Sequence, residues 1–321
     1  MTGRIVFVTN FPDAADAARG LLPGGFEFVV AAARSAEFAT AIADADYLVG
    51  FVDALIDEDL FAAAPRLKLV QLLSAGYDQA DLAAARAAGV PVCNNGGANA
   101  VAVSEHALML MLATARQLIG QHRDVAAGNW RGNAPRRVHE LRGRTLGIVG
   151  LGTIGKKTAR LAQAFGLSVI YYDIARLPEE QEDLLEVRFR LLDELLGEAD
   201  IVSLHTPLNE STRHMIGADE LARMKSDALL INTARGPVVD ETALIAALQR
   251  GAIAGAGLDV FETEPPAPDN PLFALDNVVL TGHLAGPTFE SQTVRVRNAF
   301  DNVQRVARGE PPLWLVPELL A

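Results

Sequence analysis

The stretch Thr145-Leu146-Gly147-Ile148-Val149-Gly150-Leu151-Gly152-Thr153-Ile154-Gly155 constrains this chain more than any other. A short apolar run leads into Gly-x-Gly-x-x-Gly at Gly150, Gly152 and Gly155, and Lys156 to Phe165 continues at helical spacing. The order is strand, tight turn, helix start. Gly150 permits the turn, Gly152 lets a pyrophosphate approach bare backbone, and Gly155 lets the helix pack on the strand. The free N–H groups and positive dipole end of that helix attract phosphate. A glycine pattern alone is often only a turn. Here a second strand, Leu167 to Tyr172, ends in Asp173, about 20 residues on, where a dinucleotide ribose needs an acceptor. The whole series points to dinucleotide binding.

Composition narrows the partners. The 321 residues are 50% hydrophobic, enough for a large core and two domains. A net charge of −12, from 28 basic and 40 acidic residues, argues against nucleic acid or an anionic membrane. The one cysteine, Cys93, lies in an apolar run and reads as a packed residue. An intramolecular disulfide is therefore excluded and a reducing compartment fits. No secretory pattern is visible near the start, so a cytoplasmic location is expected. The apolar run Ala107–Ala115 is too short to span a bilayer. Histidines do not cluster at ligand spacing, so no metal is expected.

Two series of alternating strands and helices follow. Strand candidates before residue 100 are Ile5–Thr9, Phe26–Val30, Tyr47–Val49, Lys68–Leu72 and Val90–Cys93, and helix candidates are Ala14–Gly20, Glu37–Ala43, Asp57–Ala63 and Ala80–Ala88. A long helix is expected over Asn99–Ile119, then a polar, arginine-rich arm to Leu141 holding Trp130. An exposed tryptophan among arginines suits an oligomer contact. The second series has six strands: Thr145–Val149, Leu167–Tyr172, Ile201–Leu204, Ala228–Asn232, Ala254–Leu258 and Val278–Leu280. The expected fold is α/β, two doubly wound parallel-sheet domains with a cleft between them. One is a Rossmann dinucleotide domain over 100–285; the other is flavodoxin-like, over 1–99 and 286–321. Past the strand ends lie His205-Thr206-Pro207, Thr233-Ala234-Arg235-Gly236, Asp259 and His283, where ligands of such sheets bind.

These residues carry a resemblance. Leu73-Ser74-Ala75-Gly76-Tyr77-Asp78, Asn99 to His106, Gly150–Gly155, His205-Thr206-Pro207-Leu208, Asn232-Thr233-Ala234-Arg235-Gly236, Gly257 to Pro265 and His283-Leu284-Ala285-Gly286 occur in order. The chain resembles the D-isomer-specific 2-hydroxyacid dehydrogenases over nearly its full length. The resemblance implies NAD as cofactor, a small 2-keto or 2-hydroxy acid as substrate and a homodimer. It implies Arg235, Glu264 and His283 as the catalytic trio, and backbone groups of Ser74, Ala75 and Gly76 for the substrate carboxylate, beside Arg235 and His283. The cofactor would be contacted by Gly150, Gly152, Thr153, Ile154, Gly155, Asp173, His205, Thr206, Pro207, Thr233, Ala234, Arg235, Asp259, His283, Ala285 and Gly286.

Chemistry makes the trio sensible without the family. A guanidinium grips a carboxylate and polarises a keto oxygen in one planar fork. A histidine delivers the proton as the oxygen becomes an alkoxide, and a neighbouring carboxylate fixes its tautomer and favours the imidazolium. His106 is expected to pair with Glu105, and His122, His139 and His214 to be solvated. Arg176 is near enough to Asp173 in sequence to soften a preference for NADH. Phe51, Val52, Leu73, Tyr77, Leu284 and Phe289 are expected to face the group beyond the keto carbon. None is a cation, so neutral-tailed acids such as glyoxylate or hydroxypyruvate are favoured over 3-phosphohydroxypyruvate, unless Arg131, Arg136 or Arg137 reaches in from a second subunit. Alternatives are a phosphoglycerate or phosphite dehydrogenase on this frame, or a non-enzymatic NAD-sensing scaffold like the corepressors that resemble the family.

Overall fold

The computed structural model describes residues 3–10, 12–131 and 137–320. The chain divides into two compact units, Met1–Asn99 with Pro287–Ala321, and Ala100–Gly286.

Among the described residues, the first unit holds a five-stranded parallel sheet. Its strands are β1 Gly3–Val8, β2 Phe26–Ala31, β3 Tyr47–Gly50, β4 Leu69–Leu72 and β5 Val92–Cys93, in the order β2-β1-β3-β4-β5. Strand side chains alternate between two faces, and both faces are covered, which is why these strands read as unbroken apolar runs. Val6, Leu48 and Val70 pack on one face with Ile42 and Leu60. Ile5, Phe7, Tyr47 and Leu69 pack on the other with Val296, Ala299, Phe300 and Val303 of the helix Phe289–Ala307. Cys93 lies in that second layer, and burial pushes its thiol pKa up to about 12, as suits a packing residue.

The second unit holds a seven-stranded parallel sheet: β6 Thr145–Val149, β7 Ser168–Tyr172, β8 Val187–Phe189, β9 Ile201–Leu204, β10 Leu229–Asn232, β11 Gly255–Leu258 and β12 Val278–Leu280. The order is β12-β11-β10-β9-β6-β7-β8. The winding reverses between β6 and β9, and ligands of such sheets bind past the strand carboxyl ends at the reversal. The helix Ala100–Ala115 closes one face. Gly257 admits it, since a Cβ there would lie 2.9 Å from the Cβ of Leu110.

Two expectations are corrected here. The sheet has a seventh strand, β8, pairing Val187, Arg188 and Phe189 with Val169, Ile170 and Tyr171. The long helix does not run to Ile119. Gln117 takes a left-handed φ of 49°, and a second helix, Leu118–Ala126, starts after it. Ala115 and Gln117 instead meet the returning chain: the His139 N–H donates to the Ala115 carbonyl at 2.9 Å, and Gln117 Nε2 donates to the Arg137 carbonyl at 3.2 Å.

Candidate active site

The glycine turn behaves as its composition demands. Gly150 has a φ of 94°, and its N–H donates to the Tyr172 carbonyl at 2.8 Å. A Cβ on Gly150 would lie 2.8 Å from the His205 carbonyl oxygen, so the turn is tucked against the end of β9. Among the described residues nothing lies within 4 Å of a Cβ built on Gly152, so that backbone is open. Gly152 caps the helix Thr153–Ala164 without any side chain, which leaves the helix end available to an anion. Asp173 Oδ2 accepts from the Leu151 N–H at 2.8 Å and Oδ1 from the Ala175 N–H at 3.1 Å. Its carboxylate is thus held at the end of β7, beside the glycine turn. Arg176 does not lean on it. Arg176 Nε donates to Glu182 Oε1 at 3.0 Å, and its guanidinium stacks 5.4 Å over Phe189, contrary to the softening role expected for it.

Three buried polar atoms at these strand ends have no hydrogen-bond partner among the described residues: His205 Nδ1, Thr206 Oγ1 and Thr233 Oγ1. Buried polar atoms are rarely left unpaired, and a dinucleotide lying along the strand ends offers partners of the right kind. The residues present therefore fit the cofactor. His205 Nε2 meets Ser203 Oγ at 3.0 Å, and burial pushes its pKa down to about 4, so it is neutral near pH 7.

At the ends of β10, β11 and β12 the trio assembles. Asn232 ties the turn after β10. Its Oδ1 accepts from the Ala234 N–H at 3.0 Å and its Nδ2 donates to the Arg235 carbonyl at 2.9 Å. Arg235 Nη1 donates to the Ala234 carbonyl at 2.7 Å. The next residue must be glycine, because a Cβ on Gly236 would fall 1.7 Å from the Phe261 carbonyl oxygen. That approach sets the Arg235 turn against the loop carrying Glu264. Glu264 Oε1 accepts from the Phe261 N–H at 3.1 Å, while Oε2 is 2.6 Å from His283 Nδ1.

The pair is electrostatically coupled. The hydrogen bond to Glu264 raises the His283 pKa, against burial and the Arg235 charge, which lower it. Burial pushes Glu264 up, but the His283 hydrogen bond, the Phe261 N–H and the nearby cations outweigh it and leave Glu264 below its ordinary value. The imidazole thus holds a proton more firmly than a free histidine, beside a guanidinium. Such a group can protonate an oxygen as negative charge develops on it.

Sequence reasoning missed how His283 is held. Asp259, expected against the cofactor, is 1% exposed and occupied within the protein. Its Oδ1 accepts from the Thr281 hydroxyl at 2.6 Å and the Leu284 N–H at 2.9 Å, and Oδ2 from the Ala285 N–H at 2.9 Å. The His283 N–H donates to the Asp259 carbonyl at 2.6 Å, and His283 has a φ of 57°. His106 does not pair with Glu105. Its Nε2 lies 2.9 Å from Thr281 Oγ1 and 3.5 Å from Asp259 Oδ1. Thr281 spends its only proton on Asp259, so His106 Nε2 must carry the hydrogen. His214 is not simply solvated either, since its Nε2 meets Glu262 Oε1 at 2.8 Å. His139 is partly buried rather than solvated.

In the first unit, side chains take up carbonyls of the Ser74–Gly76 turn and its neighbours. Ser74 Oγ donates to the Gly76 carbonyl at 2.7 Å and Asn94 Nδ2 to the Ala75 carbonyl at 3.0 Å. Turns of this kind present N–H groups to anions. Of the residues expected to face the group beyond the keto carbon, Phe51, Leu284 and Phe289 are exposed, Val52 and Leu73 are buried, and the Tyr77 hydroxyl donates to Glu318 Oε2 at 3.2 Å. None of those six is a cation, but one the sequence reading did not name stands beside them: the Arg295 guanidinium lies 5.4 Å over the Phe51 ring. Its signal was in the sequence, since Ser291, Arg295 and Ala299 fall on one helical face, and that face is buried. Trp130 is 78% exposed, with Arg131 and Arg137 also exposed; Arg136 lies outside the described residues. No helix among the described residues is long and apolar enough to cross a membrane.

Residues 108–285 match the family model described as the D-isomer specific 2-hydroxyacid dehydrogenase, NAD binding domain. A glyoxylate reductase of Korarchaeum cryptofilum is 44% identical over 278 residues, covering 86% of this chain and 83% of that protein. The crystal structure of a glyoxylate reductase from Paecilomyes thermophila superposes with a TM-score of 0.85 at 32% identity, over 99% of both chains. An NADPH-dependent glyoxylate/hydroxypyruvate reductase from Sinorhizobium meliloti gives 0.85 at 31% identity, over 98% of both. Buried, unpartnered hydroxyls of Thr206 and Thr233 and the residues Arg235, Glu264 and His283 stand at strand ends of one sheet, and the chain belongs to the D-isomer specific 2-hydroxyacid dehydrogenases and is a NAD-binding oxidoreductase acting on the CH–OH group of a 2-hydroxy acid.

Proposed function

We propose that the protein reduces glyoxylate and hydroxypyruvate with NADH. The observation that carries this reading is the 2.6 Å His283–Glu264 pair beside Arg235, and the glyoxylate reductases at 41–44% identity support the substrate class. When bound, NADH supplies the hydride. Gly150, Gly152, Thr153, Ile154 and Gly155 hold its pyrophosphate, Asp173 its ribose, and His205, Thr206, Pro207, Thr233, Ala234, Ala285 and Gly286 line its length. Backbone N–H groups of Ser74, Ala75 and Gly76 receive the substrate carboxylate. Arg235 polarises the keto group, His283 donates the proton and Glu264 keeps His283 charged. Asp259 acts by positioning His283. The lobe of residues 1–99 and 286–321 binds substrate, and that of 100–285 binds cofactor. The exposed Trp130 and Arg131 favour a homodimer, and the single buried thiol suits the cytoplasm. A panel of 2-keto acids, followed by NADH oxidation, tests the reading, and failure to turn over any of them overturns it.

Two further results are expected. Arg235→Lys keeps the charge but loses the fork, so kcat/KM for glyoxylate falls about 10- to 100-fold, as for a lost charge-assisted hydrogen bond. NADH affinity, read by fluorescence titration, stays near its parent value. A lysine variant as active as the parent would show that no bidentate grip exists. Asp173 repels a 2′-phosphate, and Arg176, tied to Glu182 and Phe189, does not offset it. The ratio of kcat/KM for NADH over NADPH is therefore about ten or more, and a ratio below one would remove Asp173 from the ribose.

A further inference from the structure

Arg295 is a buried charge that lacks an opposite one among the described residues. It lies on the helix Phe289–Ala307 and is 4% exposed. Other arginines in the chain meet carboxylates: Arg4 meets Glu27, Arg176 meets Glu182 and Arg308 meets Glu310. Arg295 has its guanidinium 5.4 Å over the Phe51 ring and no carboxylate partner among the described residues. Burial alone acts on its pKa, pulling it below the ordinary arginine value, and no acid pulls it back. A ring face offsets part of the cost of desolvating a cation, but a buried charge is ordinarily completed by an anion.

The surroundings say which anion. Phe51 follows β3, and Leu73 follows β4. The Leu73 N–H donates to the Gly50 carbonyl at 2.9 Å, so the two strand ends stand side by side. The Asn95 N–H donates to the Ser74 carbonyl at 3.0 Å, and Asn95 Nδ2 donates to the Arg295 carbonyl at 3.0 Å. One asparagine therefore links the Ser74–Gly76 turn to the helix turn carrying Arg295. The proposed function assigns the reacting carboxylate to that turn, which leaves Arg295 for a second anionic group. Neighbouring strands are about 4.8 Å apart, the scale of the separation between the carboxylates of a four-carbon diacid.

We propose that Arg295, stacked on Phe51, binds an anionic group on the far side of the keto carbon, so that short dicarboxylic 2-keto acids are substrates of the same reaction. The proposal rests on the reading of the Ser74–Gly76 turn given above. It replaces the expectation of neutral tails alone: glyoxylate is the minimal substrate, and a second carboxylate adds affinity.

The test compares oxaloacetate with 2-ketobutyrate, which has the same chain length and no second carboxylate. In the parent enzyme the kcat/KM ratio favours oxaloacetate about 10- to 100-fold, the gain from one charge-assisted contact. In Arg295→Met the ratio collapses toward one, whatever happens to the absolute rates, and Arg295→Lys restores part of it. A parent enzyme that prefers 2-ketobutyrate overturns the proposal. So does a methionine variant in which both substrates fall equally, because Arg295 then serves the reacting carboxylate or the fold. Calorimetric titration of the NAD-loaded parent with succinate and with butyrate reads the same contact without turnover. Succinate binds at least about tenfold tighter if the proposal holds, and equal binding overturns it. Reduction of glyoxylate without this discrimination sinks the proposal and leaves the function standing.

Discussion

His283→Ala lowers the rate of glyoxylate reduction by about 10²–10⁴-fold, the range for losing a positioned general acid. In the proposed reaction the imidazole supplies the proton that the alkoxide takes, and Glu264, at 2.6 Å and with its pKa held down, has none to give in its place. Glu264→Gln reports the coupling separately. The hydrogen bond to Glu264 holds the His283 pKa up, so reduction persists to higher pH than a free histidine would allow. With glutamine that support is gone, and the falling limb of the kcat/KM profile moves to lower pH. An unmoved limb would separate the two residues functionally. The same shift has a stability counterpart. Because the folded pKa of His283 is raised, the pair's contribution is full below the ordinary histidine value and is lost as pH rises through the folded one. Glu264, with a lowered pKa, contributes above the ordinary glutamate value and loses this as pH falls through its folded one.

Asp259→Ala destabilises the fold by about 3–5 kcal/mol, measured by urea unfolding, as expected for stripping a buried carboxylate from its donors. The Thr281 hydroxyl and the N–H groups of Leu284 and Ala285 all lose their acceptor. The segment they anchor carries His283 in a left-handed conformation, φ 57°, so kcat falls as well. Asp259→Asn retains one acceptor oxygen and is intermediate in both measurements. A loss under 1 kcal/mol for the alanine variant would mean that water replaces the carboxylate and that the anchor is dispensable.

Much of the candidate site was legible because its signals are local. A glycine that must be a glycine marks its turn, and polar residues directly after apolar runs mark strand ends. Gly150, Asp173, Arg235 and His283 could be found that way. What escaped depends on pairings between distant segments. β8 is three residues long with Arg188 in its middle, so it has no apolar run to notice. The helix break at Gln117 is shared with Arg137 and His139 of the returning chain, and no proline or glycine announces it. Asp259 could be recognised as polar at a strand end, but not as already committed to Thr281, Leu284 and Ala285. Arg176 looked available to Asp173 by proximity in sequence, whereas Glu182 and Phe189 hold it. Arg295 escaped because its place on the buried face of the last helix shows only in its spacing from Ser291 and Ala299.

The interrupted layout of the first unit has a consequence for how the chain is made. Its sheet is encoded before Asn99, but the helix that covers Ile5, Phe7, Tyr47 and Leu69 is encoded after Pro287. Between them the ribosome must translate the 187 residues of Ala100–Gly286, which at about 5–20 residues per second takes roughly 10–40 s. For that interval the nascent sheet has one apolar face without its final helix, while the uninterrupted second unit completes itself first. Substitutions that raise the hydrophobicity or flatness of β1 and β3 therefore threaten yield during synthesis more than they threaten the finished enzyme, and chaperone demand is set by the wait for the last helix.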